Sequence, residues 1–450
     1  MNILFLNGSP KGKNSVTIKT AQYIEKRYPA NNYTYLNIGQ QIKSLEKDFT
    51  KAEAAITNAD LIVFCYPVYT FIAPSQVHRF IEILKEKQLP LSQKYCAQIT
   101  TSKHFYDVTA LKFIEENAYD LGFRYLSSLS ADMDDLQSES GQFEADCFFD
   151  KILFDIKNDI FKQGKPSANR VAHTTYISSL DDIPKKSDKD IVLVTNASQS
   201  DENLNNMILD FKHASAYPVR EINIRDFPFK GGCLGCMQCA ISEKCVYNDN
   251  FEDLLRNEIQ NADGIILAFT IENHFTHSSM KCYDDRQFCN GHRTLTTGKA
   301  TGYIISGNYS QEANLQMIVE ARANVSGMYF CGVAGDEGST TNEISNLAKT
   351  LDFALSNSLK QPPNFYGVGG SKIFRDLVYL MQGLMQADHK FYKANGIYDF
   401  PHKKKGMMFF MKCLGLMMKS PKLQKKMQSK MSEFICAPYQ KVIDNVKPKK

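Results

Sequence analysis

The first 24 residues read as a strand, a polar loop and a helix, and this order restricts the fold of the chain more than any other feature. Residues 2–6 are a short apolar run of strand length, and residues 16–24 have the apolar spacing of a helix. The loop between them, at residues 7–15, contains two glycines. A helix that starts after such a loop presents free backbone N–H groups and the positive end of its dipole to an anion. The stretch is therefore either a phosphate-binding loop or an ordinary turn capped by Asn or Ser.

Five residues of this loop have the chemistry of an anion site. Gly12 lets the backbone approach a ligand closely, and Lys11 brings a positive charge. Ser9, Asn14 and Ser15 add side-chain hydrogen-bond donors. We therefore predict that these five residues bind a phosphate group.

The first 160 residues alternate between strand-like and helix-like segments. Strand-like runs lie at 2–6, 33–36, 61–65, 95–100 and 125–129, and helical spacing lies near 16–27, 50–58, 75–86, 108–121 and 142–162. This alternation predicts an α/β fold with a doubly wound parallel sheet between two layers of helices. Ligands bind such sheets beyond the carboxyl ends of the strands, where the loops at 7–15, 66–74 and 101–107 would meet.

The second and third of these loops bring aromatic and hydroxyl side chains to the predicted phosphate loop. Residues 66–74 read Tyr-Pro-Val-Tyr-Thr-Phe-Ile-Ala-Pro, and residues 101–107 read Thr-Ser-Lys-His-Phe-Tyr-Asp. Aromatic loops beside an anion site suit a flat ring such as a flavin. The alternative is that Tyr69 and Phe71 pack against neighbouring helices, as most loop aromatics do.

Residues 7–15 (Asn-Gly-Ser-Pro-Lys-Gly-Lys-Asn-Ser) and 59–69 (Ala-Asp-Leu-Ile-Val-Phe-Cys-Tyr-Pro-Val-Tyr) resemble the flavodoxin-like NAD(P)H-dependent FMN reductases. In that family the first loop binds the FMN phosphate, and the Pro-x-Tyr loop and the loop after the fourth strand hold the isoalloxazine. The resemblance implies an enzyme that uses NADH or NADPH. His104 is a candidate proton donor. The residues implied to hold the isoalloxazine are Pro67, Val68, Tyr69, Thr70, Thr101 and Ser102.

The same pattern begins again after residues 163–188, which we predict to be a linker. Residues 196–204 align with 7–15, 262–266 with 59–63 and 299–307 with 94–102, so the offset grows from 189 to 205. A repeat with an insertion in its first half explains the change. We predict two tandem flavodoxin-like domains, at 1–162 and 189–360, followed by a mostly helical tail at 361–450.

The two copies of the phosphate loop differ in charge. Asp201 and Glu202 stand where the first copy has Gly12 and Lys13. Each carboxylate near a phosphate would oppose its binding by about 1 kcal/mol or more. We therefore expect FMN in the first domain and a vacant or repurposed site in the second.

The insertion contains a dense cysteine array at residues 231–246. Cys233, Cys236, Cys239 and Cys245 follow the spacing C-x2-C-x2-C-x5-C, which is close to the run that binds an iron–sulfur cluster in bacterial ferredoxins. Structural zinc more often uses two C-x2-C pairs that lie farther apart, and a set of reduced thiols is the third reading. The array also resembles that of the iron–sulfur flavoproteins, whose cluster ligands these four cysteines match. We expect a [4Fe–4S] cluster.

A second polar stretch follows the third strand of the repeat. His274, His277 and His292 could face a substrate or a metal, but single loop histidines are more often hydrogen-bonded structural groups. Cys282 and Cys289 belong to no metal-ligand motif, and we predict plain thiols. We expect structural roles for the three histidines.

The tail is strongly basic. Residues 401–450 contain 13 lysines and 2 acidic residues, a net charge of +11, while the whole chain carries +4, so the remainder carries −7. The apolar stretch at 406–418 could fold back as a Met-rich lid or lie on an anionic membrane surface. The lid is favoured, because Met and Phe at helical spacing are more often core than anchor. The acidic body argues against binding to nucleic acid.

Composition restricts the class of protein further. The chain has 450 residues, 43% apolar and 23% charged, which is typical of a globular protein of two or three domains. No apolar run approaches the roughly 20 residues that span a bilayer, and no signal-peptide pattern is present. Twelve partly clustered cysteines favour a reducing compartment. We expect a cytoplasmic protein.

These features together predict an FMN-dependent oxidoreductase. It would take electrons from NAD(P)H and pass them, through the cluster or directly, to a small-molecule or protein acceptor. The alternatives are a cluster-free quinone, nitro or flavin reductase, an electron-transfer module without its own small substrate, and a membrane-surface adaptor. A homodimer is also conceivable, because the two cofactors of iron–sulfur flavoproteins meet across a subunit interface.

Overall fold

The strand-like runs of the first 160 residues form one parallel sheet. The computed structural model describes residues 1–164, 175–399, 405–417, 420–422, 439–440 and 443–445. Within it, the first sheet has the order β2-β1-β3-β4-β5, and all of its strands are parallel. The strands are β1 (Asn2–Asn7), β2 (Asn32–Leu36), β3 (Leu61–Pro67), β4 (Tyr95–Ser102) and β5 (Arg124–Asp132).

The second half of the chain repeats this topology. The second sheet has the order β10-β9-β8-β6-β7, which is the same connectivity read from the opposite edge. Its strands are β6 (Ile191–Thr195), β7 (Val219–Asn223), β8 (Gly264–Thr270), β9 (Ala300–Ser306) and β10 (Tyr329–Gly335). The order is that of flavodoxin-like doubly wound sheets. The predicted α/β fold with two such sheets and a helical C-terminal region is therefore confirmed.

Helices connect the strands of both sheets. In the first half they are α1 (Val16–Arg27), α2 (Ile38–Leu45), α3 (Thr50–Asn58), α4 (Ser75–Lys87), α5 (Asp107–Asp120) and α6 (Glu139–Lys157). In the second half and beyond they are α7 (Glu202–Ala214), α8 (Gln238–Ser242), α9 (Phe251–Asp253), α10 (Ser278–Arg286), α11 (Ala313–Ser326), α12 (Thr340–Asn357), α13 (Phe365–Leu380), α14 (Gln386–Ala394) and α15 (Lys405–Met417).

Capping residues explain where the sequence-based boundaries were wrong. Helix α6 begins at Glu139 instead of 142, because the Ser138 side chain accepts a hydrogen bond from the Gly141 amide. Helix α13 begins at Phe365, because the Asn364 side chain accepts a hydrogen bond from the Tyr366 amide. Helix α2 is short and largely polar, and the sequence analysis missed it.

The two domains share one hydrophobic core. A single cluster of buried apolar residues includes Phe113 and Ile114 of α5 together with Leu315 and Ile318 of α11. Helix α10 likewise packs against α4. This packing brings the loops of the second domain to the edge of the first sheet where its ligand site is expected.

The predicted linker is only partly described, since residues 165–174 lie outside the described residues. Residues 175–188 contain neither helix nor strand. They are fixed to α7 at Asp210, whose carboxylate accepts a hydrogen bond from Ser178 Oγ at 2.6 Å and another from the Leu180 amide at 3.0 Å. This part of the segment is held against the second domain.

The described residues form two compact units, Met1–Phe391 and Tyr392–Lys450. Both sheets and α13 lie in the first. In the second, Met407, Phe409 and Leu416 of α15 are exposed. No helix within the described ranges is both long and apolar enough to cross a bilayer. The predicted domain limits and the lid or membrane role of 406–418 stay predictions, and residue 418 lies outside the described residues.

Candidate functional site

A cavity of about 300 Å³ brings the predicted phosphate loop, the flavin loops and the cysteine array together. Two predicted site residues, Gly12 and His104, are not among those that line it. The predicted residues that do line it are Ser9, Lys11, Asn14, Ser15, Pro67, Val68, Tyr69, Thr70, Thr101, Ser102, Cys233, Cys236, Cys239 and Cys245.

The phosphate loop leads into the start of α1 as its sequence predicts. Ser15 is the N-cap residue but its side chain accepts no capping hydrogen bond, so the first amides of α1 keep their donors. Ser15, Val16 and Thr17 all line the cavity. Gly12 has a positive φ of 56° and is buried against the side chain of Gln40 on α2. Gly12 therefore shapes the turn, while its neighbours face the cavity.

The Pro-x-Tyr loop is held in an unusual backbone conformation. Thr70 and Phe71 both have positive φ, of 42° and 72°. The amide of Tyr69 donates to the carbonyl of Ile72 at 2.8 Å, which closes the loop. The Phe71 ring packs 4.5 Å from that of Tyr106, whereas Tyr69 lines the cavity. Phe71 thus packs against a neighbouring ring, whereas Tyr69 faces the cavity.

The third loop places His104 at the rim. Its amide donates to Ser102 Oγ at 2.9 Å, and its ring Nδ1 lies 2.9 Å from Asp107 Oδ2. That carboxylate also accepts a hydrogen bond from Ser130 Oγ at 2.6 Å. The His104 side chain is 51% exposed. It is therefore oriented by a carboxylate beside the cavity, and its proton-donor role stays a prediction.

The backbone of the cysteine loop turns repeatedly into the left-handed region. Gly235, Met237 and Glu243 have positive φ values of 60°, 62° and 65°, and they alternate with the cysteines. The Gly235 amide donates to Cys233 Sγ at 3.4 Å. Alternating right- and left-handed residues form concave arrangements of N–H groups that bind anions, including many iron–sulfur clusters. The backbone of this loop therefore fits a cluster held by thiolates.

The four thiols themselves also fit that use. All four are free, and burial raises the pKa of Cys233 and, to about 11, that of Cys239. Without a cation, Cys233 and Cys239 would stay protonated at neutral pH, and a cationic iron centre would remove that penalty. Two groups in the described residues have the spacing of a single metal ion, Glu82–Glu272–His277 and Glu116–His274–Glu312, and the four cysteines are not among them.

Two glycines let this loop lie directly on the first domain. A Cβ at Gly235 would be 2.1 Å from Tyr69 Oη, and one at Gly232 would be 2.5 Å from Ser75 Oγ. Arg286 of α10 fixes the loop from the other side, where it donates to the Gly231 carbonyl at 3.0 Å and pairs with Asp249 at 2.8 Å. The cysteine loop and the Pro-x-Tyr loop are therefore in contact within one chain.

The second copy of the phosphate loop contains its own anion. The Asp201 carboxylate accepts hydrogen bonds from both the amide and the hydroxyl of Ser198 at 2.6 Å. It also lies 3.7 Å from Arg225. Donors that a phosphate would need are thus already used by a side chain of the loop.

Sequence reasoning missed a group of residues that close the cavity. Three come from α13 and its C-cap position, namely Phe374, Leu377 and Met381. Their spacing of three and four residues was the only signal. Cys289, predicted to be a plain thiol, and His292, predicted to be a structural histidine, also line the cavity. Burial raises the pKa of Cys289 to about 12, and His292 Nδ1 lies 3.0 Å from Asp388 Oδ2.

The other two histidines have hydrogen-bond partners within the protein. The His277 ring accepts a hydrogen bond from the Ser279 amide and so caps α10. His274 lies between Asp120 Oδ2 and Glu312 Oε2, at 3.1 Å from each. Burial disfavours its charge, but these two carboxylates raise its pKa to about 9.

Known proteins resemble the chain in the same regions. Residues 1–104 match the family described as having a flavodoxin-like fold. The iron-sulfur flavoprotein of Archaeoglobus fulgidus is 26% identical over 175 residues, which cover 36% of this chain and 78% of that protein. The resemblance that the sequence predicts, to flavodoxin-like FMN reductases and iron–sulfur flavoproteins, is thereby confirmed.

Solved structures with a similar fold are more distant. An NADH:FMN oxidoreductase in its apo form is 20% identical, covers 37% of this chain and 96% of its own, and has a TM-score of 0.30. An FMN-dependent NADH-azoreductase from Bacillus anthracis, in complex with FMN, is 14% identical, covers 34% and 98%, and has a TM-score of 0.28. Likeness of this degree does not indicate a function.

Proposed function

We propose that this chain is an FMN-dependent oxidoreductase that takes electrons from NADH or NADPH. The observation that supports it is the single cavity lined by both predicted flavin loops and by all four cysteines of the array. The sequence identity with an iron-sulfur flavoprotein supports the same reading.

The first domain offers separate binding groups for the two ends of FMN. Ser9, Lys11, Asn14 and the first amides of α1 would bind the phosphate, and Gly12 would shape the turn between them. The loops around Tyr69 and Ser102 would hold the isoalloxazine, and α13 would shield it from water. Bound FMN would supply hydride acceptance at N5 and one-electron transfer.

The cysteine loop would hold a [4Fe–4S] cluster through Cys233, Cys236, Cys239 and Cys245. Such a cluster stores a single electron when it is bound. Because the loop touches Tyr69 within the same chain, the tandem arrangement would bring both cofactor sites together without a second subunit. The acceptor would be a small molecule or a protein.

We further propose a cytoplasmic location. Eleven cysteines are free in the described part of the chain, and five of them line one cavity. Thiols grouped in this way persist where glutathione and thioredoxin keep them reduced.

The test is the ultraviolet–visible spectrum and iron content of protein purified without oxygen. We expect flavin bands, a broad iron–sulfur shoulder and about four irons per chain, all bleached by NAD(P)H. Flavin bands without iron would indicate a cluster-free quinone, nitro or flavin reductase. A colourless protein that takes up no added FMN would overturn the proposal.

Matched variants separate the two sites. Ser9→Ala with Asn14→Ala should lose FMN and keep iron, while Ser198→Ala at the equivalent place in the second loop should keep both. Cys236→Ser should lose iron and keep FMN, while Cys147→Ser, at an exposed cysteine outside the array, should keep both. Full retention of FMN by the first variant would contradict the assignment of the phosphate loop.

Steady-state assays distinguish the remaining alternative. An enzyme with its own small-molecule substrate should oxidise NAD(P)H rapidly with quinones, nitro compounds or free flavin. An electron-transfer module would reduce artificial dyes but turn over slowly until its protein partner is added. Rapid turnover with a small acceptor alone would exclude the module.

A further inference from the structure

Helix α10 of the second domain carries a buried ion pair that contacts the proposed flavin loop of the first domain. Lys281 and Asp285 lie one turn apart, and both side chains are 0% exposed. The ammonium of Lys281 donates to the Tyr69 carbonyl at 3.0 Å and to Thr70 Oγ1 at 2.6 Å, and it pairs with Asp285. A residue pair outside the predicted site is therefore bonded to two residues inside it.

The hydrogen bonds of this pair are consistent with full charges on both partners. Three acceptors surround Lys281 Nζ, which matches the three protons of an ammonium group. The Asp285 carboxylate accepts from Thr70 Oγ1 and from the Ser75 amide, each at 2.7 Å. A buried ion pair with its remaining hydrogen bonds made is tolerated, whereas removal of one partner leaves an uncompensated charge.

The loop that Lys281 and Asp285 hold contains a strained backbone conformation at Thr70. Thr70 is β-branched and has φ of 42°, which is a rare conformation for such a residue. Conformations of this kind persist only where the surrounding structure fixes them, and they are concentrated at functional sites. Lys281 and Asp285 bond to the backbone before Thr70, to its hydroxyl and to the amide of Ser75, and so bracket the strained segment.

We propose that Lys281 and Asp285 are positioning residues of the flavin site: they fix the loop at residues 69–75 in its binding conformation, and their charges set the reduction potential of the bound flavin. The proposal rests on the proposed function and adds a role for the second domain. That domain, whose own phosphate loop contains Asp201, would serve as a support for the first.

The electrostatic part of the proposal predicts that the two single variants shift the midpoint potential of the flavin in opposite directions. Asp285→Asn leaves the ammonium without its counter-charge, which favours a reduced flavin and raises the midpoint potential. Lys281→Met leaves the Asp285 carboxylate unpaired and lowers the midpoint potential. The double variant removes both charges and should lie between them. We expect roughly tenfold changes in the two-electron equilibrium, or about 30 mV. Simple loosening of the loop would shift both single variants in the same direction.

The structural part is tested on protein without FMN. Hydrogen exchange at the amides of residues 69–75 should quicken in both single variants, and most at Ser75 in Asp285→Asn. The control is Lys151→Met, which breaks a Lys–Asp pair of the same spacing on α6, outside the residues that line the cavity. The control should change neither the potential nor this exchange. If Lys281→Met does not fold, Asp285→Asn and the uncharged double variant still give the comparison.

The outcomes are separable. Unchanged exchange at residues 69–75 together with unchanged potentials would overturn the proposal, as would potential shifts of the same sign in Asp285→Asn and Lys281→Met. Failure of the unaltered chain to bind FMN would overturn the proposed function and the electrostatic part with it. If hydrogen exchange in that case still quickened only in the variants of α10, one part of the proposal would stand: that Lys281 and Asp285 hold the loop at residues 69–75.

Discussion

Replacement of His274 with asparagine should destabilise the folded chain by an amount that depends on pH. Asparagine suits the site because His274 has a left-handed backbone, with φ of 65°. The imidazolium lies between Asp120 of α5 and Glu312, which precedes α11, so its charge joins the two domains. Glu116 of α5 and Lys85 of α4 are the other charged groups near these partners.

The magnitude follows from the pKa of His274. Its ordinary value is 6.5, and the two carboxylates raise it to about 9 in the folded chain. A raised pKa in the folded state means that protonation favours folding. The difference corresponds to about 3 kcal/mol at most, since each tenfold change in the equilibrium is worth about 1.4 kcal/mol. This contribution is fully present below pH 6.5 and is lost as the pH rises through about 9.

The assay is urea unfolding of the wild type and of His274→Asn at pH 6 and at pH 9.5. The difference in the free energy of unfolding should be largest at pH 6 and should shrink toward pH 9.5. His104→Asn is the control, because His104 also has a positive φ, of 55°, and also pairs with a carboxylate, but is 51% exposed, so solvent screens the pair. An equal difference at both pH values would refute a charged His274 between the domains.

Three further predictions concern the site and the tail. Gly235→Ala should weaken the retention of both FMN and iron, because its Cβ would collide with Tyr69 Oη, while Gly298→Ala, also at positive φ but with nothing within 4 Å, tests backbone strain alone. Retention equal to wild type in Gly235→Ala would contradict the contact between the loops. Cys289 should resist alkylation at pH 8 in the folded protein, since burial raises its pKa to about 12, whereas the exposed Cys147 should react; mass spectrometry after iodoacetamide checks this. Deletion of residues 401–450, which carry a net charge of +11, should abolish any co-sedimentation with vesicles of anionic lipid, and equal binding to neutral vesicles would argue against an electrostatic contact.

Local patterns in the sequence predicted the strands closely. The runs at 2–6 and 61–65 lie in β1 and β3, which extend only one and two residues farther. Central strands of a parallel sheet are buried on both faces, so a continuous apolar run marks them well. Helix ends were predicted less well, because caps such as Ser138 and Asn364 depend on single side-chain contacts.

The site could be predicted as far as topology dictated it. Loops after β1, β3 and β4 must meet at one edge of the sheet, so the residues at 7–15, 66–74 and 101–107 could be grouped in advance. Lys281, Cys289 and Phe374 reach the same place through packing between domains. No periodicity or motif records such packing, because the residues concerned are 150 or more positions away from the loops they contact.

The core shared by α5 and α11 also affects how this molecule behaves on dilution. Two separate flavodoxin-like subunits would part at low concentration and lose any site that both must complete. Halves joined in one polypeptide meet at an effective concentration set by their linker, which does not fall when the protein is diluted. Subunits encoded by one gene must also bear every substitution in duplicate. Covalent halves escape that symmetry, so one half is free to change without the other, as the Asp201 carboxylate in the second loop illustrates.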